Sequence, residues 1–328
     1  MSRVPKPVKS QPKKSTTCRS EIATLPSDTP AFTAKPVPAP WLLKQTMRAL
    51  GVVSPRLAAS AARQLFFHPL KAPVKPEQAA VLRHGSPFHV VVRDCDVHGH
   101  TFGDGPAIFL VHGWGGHSGH MAAFIEPLVG AGFRVVVADM PAHGRSSGRL
   151  TSLIHFADSM DAMAEQFGAP HAVIAHSFGA AAATVAMARG LDVGRVAFIA
   201  PPATYRTFWA RFRDGVGVSS LVFDRLVRRA ELEFGVRFAE IHPETLAPRR
   251  HEPLLILHDA ADREIDVGEG QALALAWPRA ELTLTRGLGH LRILSDSQTV
   301  RRIVEFVSNG RQEERANPRQ SVAREAVL

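Results

Sequence analysis

Cysteine is almost absent from this chain. Its 328 residues include only Cys18 and Cys95, which lie far apart in the sequence and in unlike contexts. Disulfide-stapled folds carry more cysteines at closer spacing, so we expect no disulfide framework. The same scarcity leads us to expect a reducing, cytoplasmic setting.

Long apolar runs are missing as well. No stretch approaches the ~18 apolar residues of a transmembrane helix, and the N-terminus lacks the apolar core of a secretory signal peptide. Hydrophobic residues nevertheless make up 45% of the chain. We therefore expect a soluble globular protein with one large domain or two small ones.

Lysine is absent after Lys75, although the net charge of the chain is +9. Residues 1–75 hold 13 Lys or Arg against two acids, and the remainder holds 26 basic against 28 acidic residues. The location of charge matters more than its total. The globular part is nearly neutral, so we expect no nucleic-acid partner, and it contains no lysine that could act as nucleophile or base.

Sequence fingerprints of cofactor sites are also missing. The chain has neither the glycine fingerprint of a dinucleotide site nor a P-loop, so we expect no cofactor. His112, His117 and His120 could suggest a metal site. Their loop is rich in glycine and has no carboxylate cluster beside it, and we therefore expect no metal there.

The N-terminal quarter divides into a tail and a helical extension. Residues 1–40, rich in Pro, Lys, Ser and Thr, predict a disordered basic tail. Residues 41–50 and 55–67 predict two basic amphipathic helices in an extension spanning residues 41–84. Leu57, Ala61 and Leu65 form the predicted apolar face of the second helix. Residues 41–67 either make weak contact with a membrane surface or pack on the globular domain, and we favour packing.

From Phe88 onward, apolar strands alternate with helices. A hairpin-like pair of strands is predicted over residues 89–93 and 97–102, and buried strands are predicted over residues 107–111, 134–138, 195–200 and 253–258. A helix is predicted over residues 120–129. This alternation predicts an α/β domain over residues 85–308 with a mostly parallel central sheet flanked by helices. Residues 201–248 interrupt the rhythm with aromatic side chains at helical spacing, which predicts a small helical lid. Residues 309–328 are polar and predict a disordered C-terminal tail.

One serine lies where an apolar run turns into a helix. Residues 171–175 predict a buried parallel strand, and the alanine-rich residues 179–189 predict a helix. Ser177 lies at the turn between them, with Ala175 and Gly179 in the small-x-Ser-x-Gly spacing of a nucleophile elbow. A serine at this position could also be a simple helix N-cap. The flanking motifs therefore decide between a nucleophile and a cap.

Four other segments occur in an order that matches a known family. They are His112-Gly113-Trp114-Gly115, Asp139 to Ser146 with Ala142 where glycine is usual, Leu257 to Ile265, and Gly287-Leu288-Gly289-His290. They resemble the oxyanion loop, the Asp-x-Pro-Gly-x-Gly-x-Ser loop, the acid-bearing segment and the histidine-bearing segment of α/β-hydrolases. From about Phe88 to Ser308, the chain is similar to a lid-bearing, esterase- or lipase-like member of that family.

The resemblance implies a catalytic triad in the chain order Ser177, Asp262, His290. A serine hydroxyl needs a base to take its proton, histidine titrates in the right range, and an aspartate holds the histidine tautomer. The implied oxyanion donors are the backbone N–H groups of Trp114 and Phe178.

Several neighbouring residues compete for these roles. Asp259 and Asp266 are alternative acids, although the motif position favours Asp262. His176, beside the serine, is expected to support packing or the pocket, because adjacent residues point apart. The candidate substrate-binding residues are His176, Phe208 and Trp209. An aromatic lid favours acyl or aromatic substrates.

Three classes of function are compatible with these residues. The first is a serine hydrolase that cleaves carboxylic esters. The second uses the same triad as an acyltransferase, perhydrolase or carbon–carbon bond hydrolase, because the fold does not determine the acyl acceptor. The third is a non-catalytic, membrane-recruited binding module. The natural substrate and the oligomeric state are not encoded in these motifs.

Overall fold

The computed structural model describes residues 40–316, without the side chains of residues 310–316. The predicted disordered tail over residues 1–40 lies outside the described residues except for Pro40, and so does most of the tail predicted over residues 309–328. Within them, eight strands form one sheet. The strands are β1 (Ser86–Val92), β2 (Cys95–Phe102), β3 (Ala107–Val111), β4 (Arg134–Ala138), β5 (Ala172–His176), β6 (Arg195–Ile199), β7 (Leu254–Asp259) and β8 (Ala280–Thr285).

The sheet has the order β1-β2-β4-β3-β5-β6-β7-β8. β2 pairs with β1 and β4 in antiparallel orientation, and all other neighbours are parallel. Every residue of β3, β5, β6 and β7 is buried, as expected for apolar strands covered on both faces. The predicted mostly parallel sheet is therefore confirmed, with the predicted antiparallel hairpin at one edge.

Helices cover the sheet on both faces. They are α1 (Trp41–Val53), α2 (Pro55–Phe67), α3 (Pro76–Leu82), α4 (Ile125–Gly130), α5 (Leu153–Phe167), α6 (Phe178–Ala188), α7 (Arg206–Val216), α8 (Ser220–Phe234), α9 (Pro243–Leu246), α10 (Val267–Ala276), α11 (Gly289–Arg292) and α12 (Ser297–Ala316). α5, α6 and α10 contribute to the core on one face of the sheet, and α4 and α12 to the core on the other.

Two helices differ from the prediction for physical reasons. A single helix was expected over residues 120–129, but Ser118–Phe124 is a 3-10 helix and α4 starts at Ile125. Pro127 explains the restart, because it has no N–H for the Ala123 carbonyl and its ring would clash there. α12 continues to Ala316, past the predicted boundary at residue 308.

The extension, residues 41–84, packs on the helices between β6 and β7. Met47 of α1 and the alanines of α2 lie in one apolar cluster with Phe212 of α7 and Val222 of α8. The packed face of α2 differs from the expected one, since Leu57 remains 61% exposed. Alanine removes side-chain bulk at the contact between the helices, so it lets α8 approach α2 closely.

The segment between β6 and β7, residues 201–248, is the predicted helical insertion and contains α7, α8 and α9. Its Trp209 and Phe238 rings pack edge to face, with centroids 5.6 Å apart. A role as a lid stays a prediction. None of the described helices has the length and apolarity that crossing a bilayer requires.

Candidate active site

Ser177 occupies the turn between β5 and α6. Its backbone has φ of 52° and ψ of −119°, a left-handed conformation that is rare for a residue with a side chain. The surrounding structure holds it there, since the Ser177 amide donates to the Ile199 carbonyl at 2.9 Å. Strained residues of this kind concentrate at functional sites, and the geometry is that of a nucleophile elbow.

Two glycines allow the elbow to sit against the loop that follows β3. A Cβ on Gly179 would lie 2.6 Å from the His112 carbonyl oxygen. A Cβ on Gly113 would lie 3.2 Å from the Ser177 Cβ. Both positions therefore require glycine to avoid a steric clash or crowding, and the loop approaches the serine closely.

Asp262 and His290 are brought together as predicted. The His290 Nδ1 donates to the Asp262 Oδ2 at 2.7 Å, and both side chains are buried. Burial opposes ionisation of Asp262, but hydrogen bonds from His290 and from the amides of Glu264 and Ile265 hold its pKa below the ordinary value. The carboxylate is therefore charged at neutral pH and orients the imidazole.

The two alternative acids have other partners. Asp259 accepts hydrogen bonds from the Thr285 hydroxyl at 2.9 Å and the Leu288 amide at 3.0 Å. It ties the end of β8 to the loop that carries His290. Asp266 accepts from the Gly268 amide at 2.8 Å and caps α10. Neither carboxylate contacts the His290 ring in the described residues.

His176 supports His290 through the backbone. Its Nε2 donates to the His290 carbonyl at 3.0 Å, and the two ring centroids lie 4.5 Å apart. Burial, with the neighbouring His290, lowers the pKa of His176 well below its ordinary value, so the ring is neutral. His176 also lines the cavity, as predicted.

Ser177 and His290 line the same cavity. No hydrogen bond joins their side chains in the described part of the chain, and the Glu264 carboxylate lies 3.8 Å from the His290 Nε2. Catalytic hydrogen bonds are often long without substrate and shorten in the reacting complex. The Nε2 is thus the ring nitrogen left for proton transfer, because Asp262 holds the other.

The loop after β3 is held by two buried histidines. The His112 Nδ1 donates to the Gly113 carbonyl at 2.8 Å, and its Nε2 accepts from the Met140 amide at 3.0 Å. The Gly115 amide donates to the His143 Nε2 at 2.9 Å. These bonds fix the residues on either side of Trp114, whose backbone N–H is a predicted oxyanion donor.

Burial keeps both loop histidines neutral. It lowers the pKa of His112 to about 3 and the pKa of His143 to about 4. The His143 Nδ1 donates to the Pro141 carbonyl at 3.0 Å, which leaves its Nε2 as the acceptor for the loop. The histidines therefore work as fixed hydrogen-bonding groups, and both ring nitrogens of His112 are occupied by protein groups.

The two residues that carry the predicted oxyanion donors are in contact through their side chains. The rings of Trp114 and Phe178 pack with centroids 5.0 Å apart. Neither backbone N–H donates to another described residue. The Phe178 amide opens α6, where backbone N–H groups and the helix dipole favour negative charge. The two amides are thus available to a developing oxyanion.

A cavity of about 400 Å³ lies over Ser177. The predicted substrate-binding residues Phe208 and Trp209 line it, with side chains from the extension, the oxyanion loop and the insertion. The aromatic and apolar lining comprises Phe66, Phe67, Leu70, Ala72, Trp114, Leu153, Phe178, Tyr205, Phe208, Trp209, Phe238, Ile265 and Leu291. Its size and lining suit a small apolar ligand.

Sequence reasoning missed the part played by the extension. The Phe66 ring lies 5.4 Å from that of Phe208 across the cavity wall, and the Ala72 amide donates to the Gly115 carbonyl at 2.9 Å. In the sequence, the adjacent pair Phe66 and Phe67 at the end of an amphipathic helix was the signal that could have indicated this contribution to the cavity wall. The role of His143 was missed too, although β4 and β3 are neighbours whose carboxyl ends bring His143 and His112 together.

Comparisons with known proteins agree with this fold. A family model described as alpha/beta hydrolase fold matches residues 106–217. An esterase of Pyrococcus furiosus has a similar structure, with a TM-score of 0.56 and 18% identity over 74% of this chain and 97% of that chain. Est1E of Butyrivibrio proteoclasticus, solved with ferulic acid, has a TM-score of 0.55 and is 19% identical, over 70% of this chain and 99% of that chain. At these identities the likeness concerns the fold.

One curated protein matches over a short stretch. Pimeloyl-[acyl-carrier protein] methyl ester esterase of Methylococcus capsulatus is 46% identical over 46 residues. The match covers 14% of this chain and 18% of that protein. The chain thus matches less than one fifth of the length of this relative.

Proposed function

This chain belongs to the α/β-hydrolase superfamily, and from that premise we propose that it is a serine hydrolase that cleaves carboxylic esters. The observation that carries the proposal is the 2.7 Å hydrogen bond between His290 and Asp262, beside a strained Ser177 in one cavity. In this proposal Ser177 is the nucleophile, His290 is the base and Asp262 orients the base, in the chain order of a serine triad.

The proposed mechanism assigns each group one role. The Ser177 Oγ attacks the ester carbonyl carbon, and its proton passes to the His290 Nε2. The amides of Trp114 and Phe178 stabilise the oxyanion. When the tetrahedral intermediate collapses, His290 protonates the departing alcohol and leaves an acyl group on Ser177. Water then attacks this acyl-enzyme by the same steps and releases the acid.

The cavity supports an ester with an apolar acyl or aromatic group. Eight of the lining residues are Phe, Trp or Tyr, and the volume of about 400 Å³ limits the ligand to a small one. Two similar proteins, an esterase of Pyrococcus furiosus and a methyl ester esterase of Methylococcus capsulatus, are compatible with an ester substrate.

A fluorophosphonate probe tests the proposed nucleophile. We expect the wild-type protein to be labelled and Ser177→Ala not to be, because the probe reacts with an activated serine. Ser295→Ala is a matched control, since this serine is exposed and does not line the cavity, and it should label like wild type. Equal labelling of Ser177→Ala would remove the proposed site, and an unlabelled wild type would favour the non-catalytic binding module.

A second prediction concerns the cavity wall built by the extension. Phe66 packs against Phe208 and Phe212, with ring centroids 5.4 and 4.8 Å away. Phe66→Ala should open this wall, so the ratio of kcat/KM for long over short p-nitrophenyl esters should rise about tenfold. Leu65→Ala, one residue away but outside the cavity lining, should leave the ratio unchanged. A thermally stable Phe66→Ala with an unaltered chain-length profile would refute this role.

A further inference from the structure

The solvent face of α1 is unusually apolar. Trp41 and Leu42 at its first turn are 73% and 69% exposed, and Val52 and Val53 at its last turn are 86% and 83% exposed. A helix packed on a globular domain normally turns polar side chains to water. The face opposite the packed Met47 therefore lacks the usual polar cover.

The neighbouring helix α2 continues this feature. Leu57 and Leu65 are 61% and 40% exposed, while the alanines of α2 are turned to the protein. We call Trp41, Leu42, Val52, Val53, Leu57 and Leu65 the outer face. Single exposed apolar residues are ordinary, but a large set on one pair of helices marks an interaction surface.

The charge around the outer face has one sign. Residues 40–76 contain six Lys or Arg and no Asp or Glu. Arg48 and Arg56 are exposed and form no ion pair with the described residues. Arg63 differs, because it pairs with Glu233 of α8. The outer face is thus both apolar and cationic.

We propose that the outer face docks on the surface of an anionic lipid bilayer. Helices that lie in a bilayer interface combine aromatic and aliphatic side chains with Lys and Arg in this way, and basic segments are attracted to anionic lipids. Nucleic acid would use the cations but leave the apolar side chains in water. A second copy of the chain would bring like charges together.

Docking in this orientation also involves the site. Phe66 and Phe67, which end α2, line the cavity over Ser177, and so does the 87% exposed Leu70 that follows them. When the protein docks on the bilayer through α1 and α2, one wall of the cavity therefore lies next to the lipid surface. The docking itself does not depend on the proposed chemistry at Ser177.

Vesicle sedimentation of the full chain tests the proposal. We expect binding to vesicles of phosphatidylcholine mixed with phosphatidylglycerol, and much less to phosphatidylcholine alone. Trp41→Ser/Val52→Ser and Arg48→Glu/Arg56→Glu should each weaken partitioning into the mixed vesicles about tenfold. Leu275→Ser removes an equally exposed residue (80%) from α10 and should bind like wild type. Unchanged thermal unfolding of all variants confirms that the fold is kept.

Three results would overturn the proposal. Equal binding to neutral and mixed vesicles would show that charge plays no part. Normal binding of both outer-face variants, with binding lost in Lys13→Glu/Lys14→Glu, would place the lipid contact in residues 1–39. Absence of vesicle binding, with self-association that the Trp41→Ser/Val52→Ser change abolishes, would identify a second copy as the partner.

Discussion

Asp262→Asn will lower kcat on p-nitrophenyl esters about 10⁴-fold, whereas Asp259→Asn will retain most of the activity. The Asp262 Oδ2 accepts the His290 Nδ1–H at 2.7 Å, which leaves the Nε2 free to accept the proton of Ser177. An asparagine amide can donate to the Nδ1 and so favour the wrong tautomer, a change that costs about 10⁴-fold in serine proteases. The two substitutions are isosteric and only three residues apart.

Comparing these two variants distinguishes the carboxylate that contacts the His290 imidazole from the carboxylate that holds the loop carrying His290. Asp259 accepts hydrogen bonds from the Thr285 hydroxyl and the Leu288 amide. Asp259→Asn should therefore loosen the loop and lower the thermal unfolding temperature, while most of kcat is retained. Steady-state kinetics and thermal unfolding of both variants provide the measurement. A larger loss of kcat in Asp259→Asn than in Asp262→Asn would reverse the assignment of the acid.

The fold was predictable because its central strands are short and almost wholly apolar. β3, β5, β6 and β7 lie within one or two residues of their predicted bounds, since continuous apolar runs between turn residues match strands covered on both faces. The elbow was predictable for a related reason. Ser177 lies between a β-branched run and an alanine-rich helix, and only a tight turn joins the two.

Contacts between distant segments were not predictable from local pattern. Phe66 lies in the cavity wall because α2 packs on α7 and α8, and the aromatic pair at residues 66 and 67 does not by itself specify those partners. The buried face of α2 was misplaced because helical periodicity ranks leucine above alanine, whereas close helix packing selected the alanines. His143 was overlooked because its role depends on a single hydrogen bond to Gly115.

The hydrogen bond from the Gly115 amide to the His143 Nε2 is the basis of the second prediction with a large expected effect. His143→Phe will lower kcat about 10²-fold with little change in KM, and His143→Gln will retain most of the activity. Phenylalanine fills the space but leaves the Gly115 amide without its acceptor, so Trp114 can shift. A displacement of about 1 Å in a catalytic group is enough for a loss of this size. Glutamine keeps an oxygen that can accept from Gly115.

The pH dependence of stability provides an independent readout for the same variants. Burial lowers the pKa of folded His143 from 6.5 to about 4, so between these values the unfolded chain binds a proton that the folded chain does not. His143 therefore lowers the free energy of unfolding by about 1.4 kcal/mol for each pH unit as the pH drops from 6.5 towards 4. Both variants remove this pH-dependent contribution of His143 to the free energy of unfolding. Urea unfolding at several pH values measures the change. Only His143→Phe should also lose kcat. An equal loss of kcat in both would show that His143 does not act through the Gly115 amide.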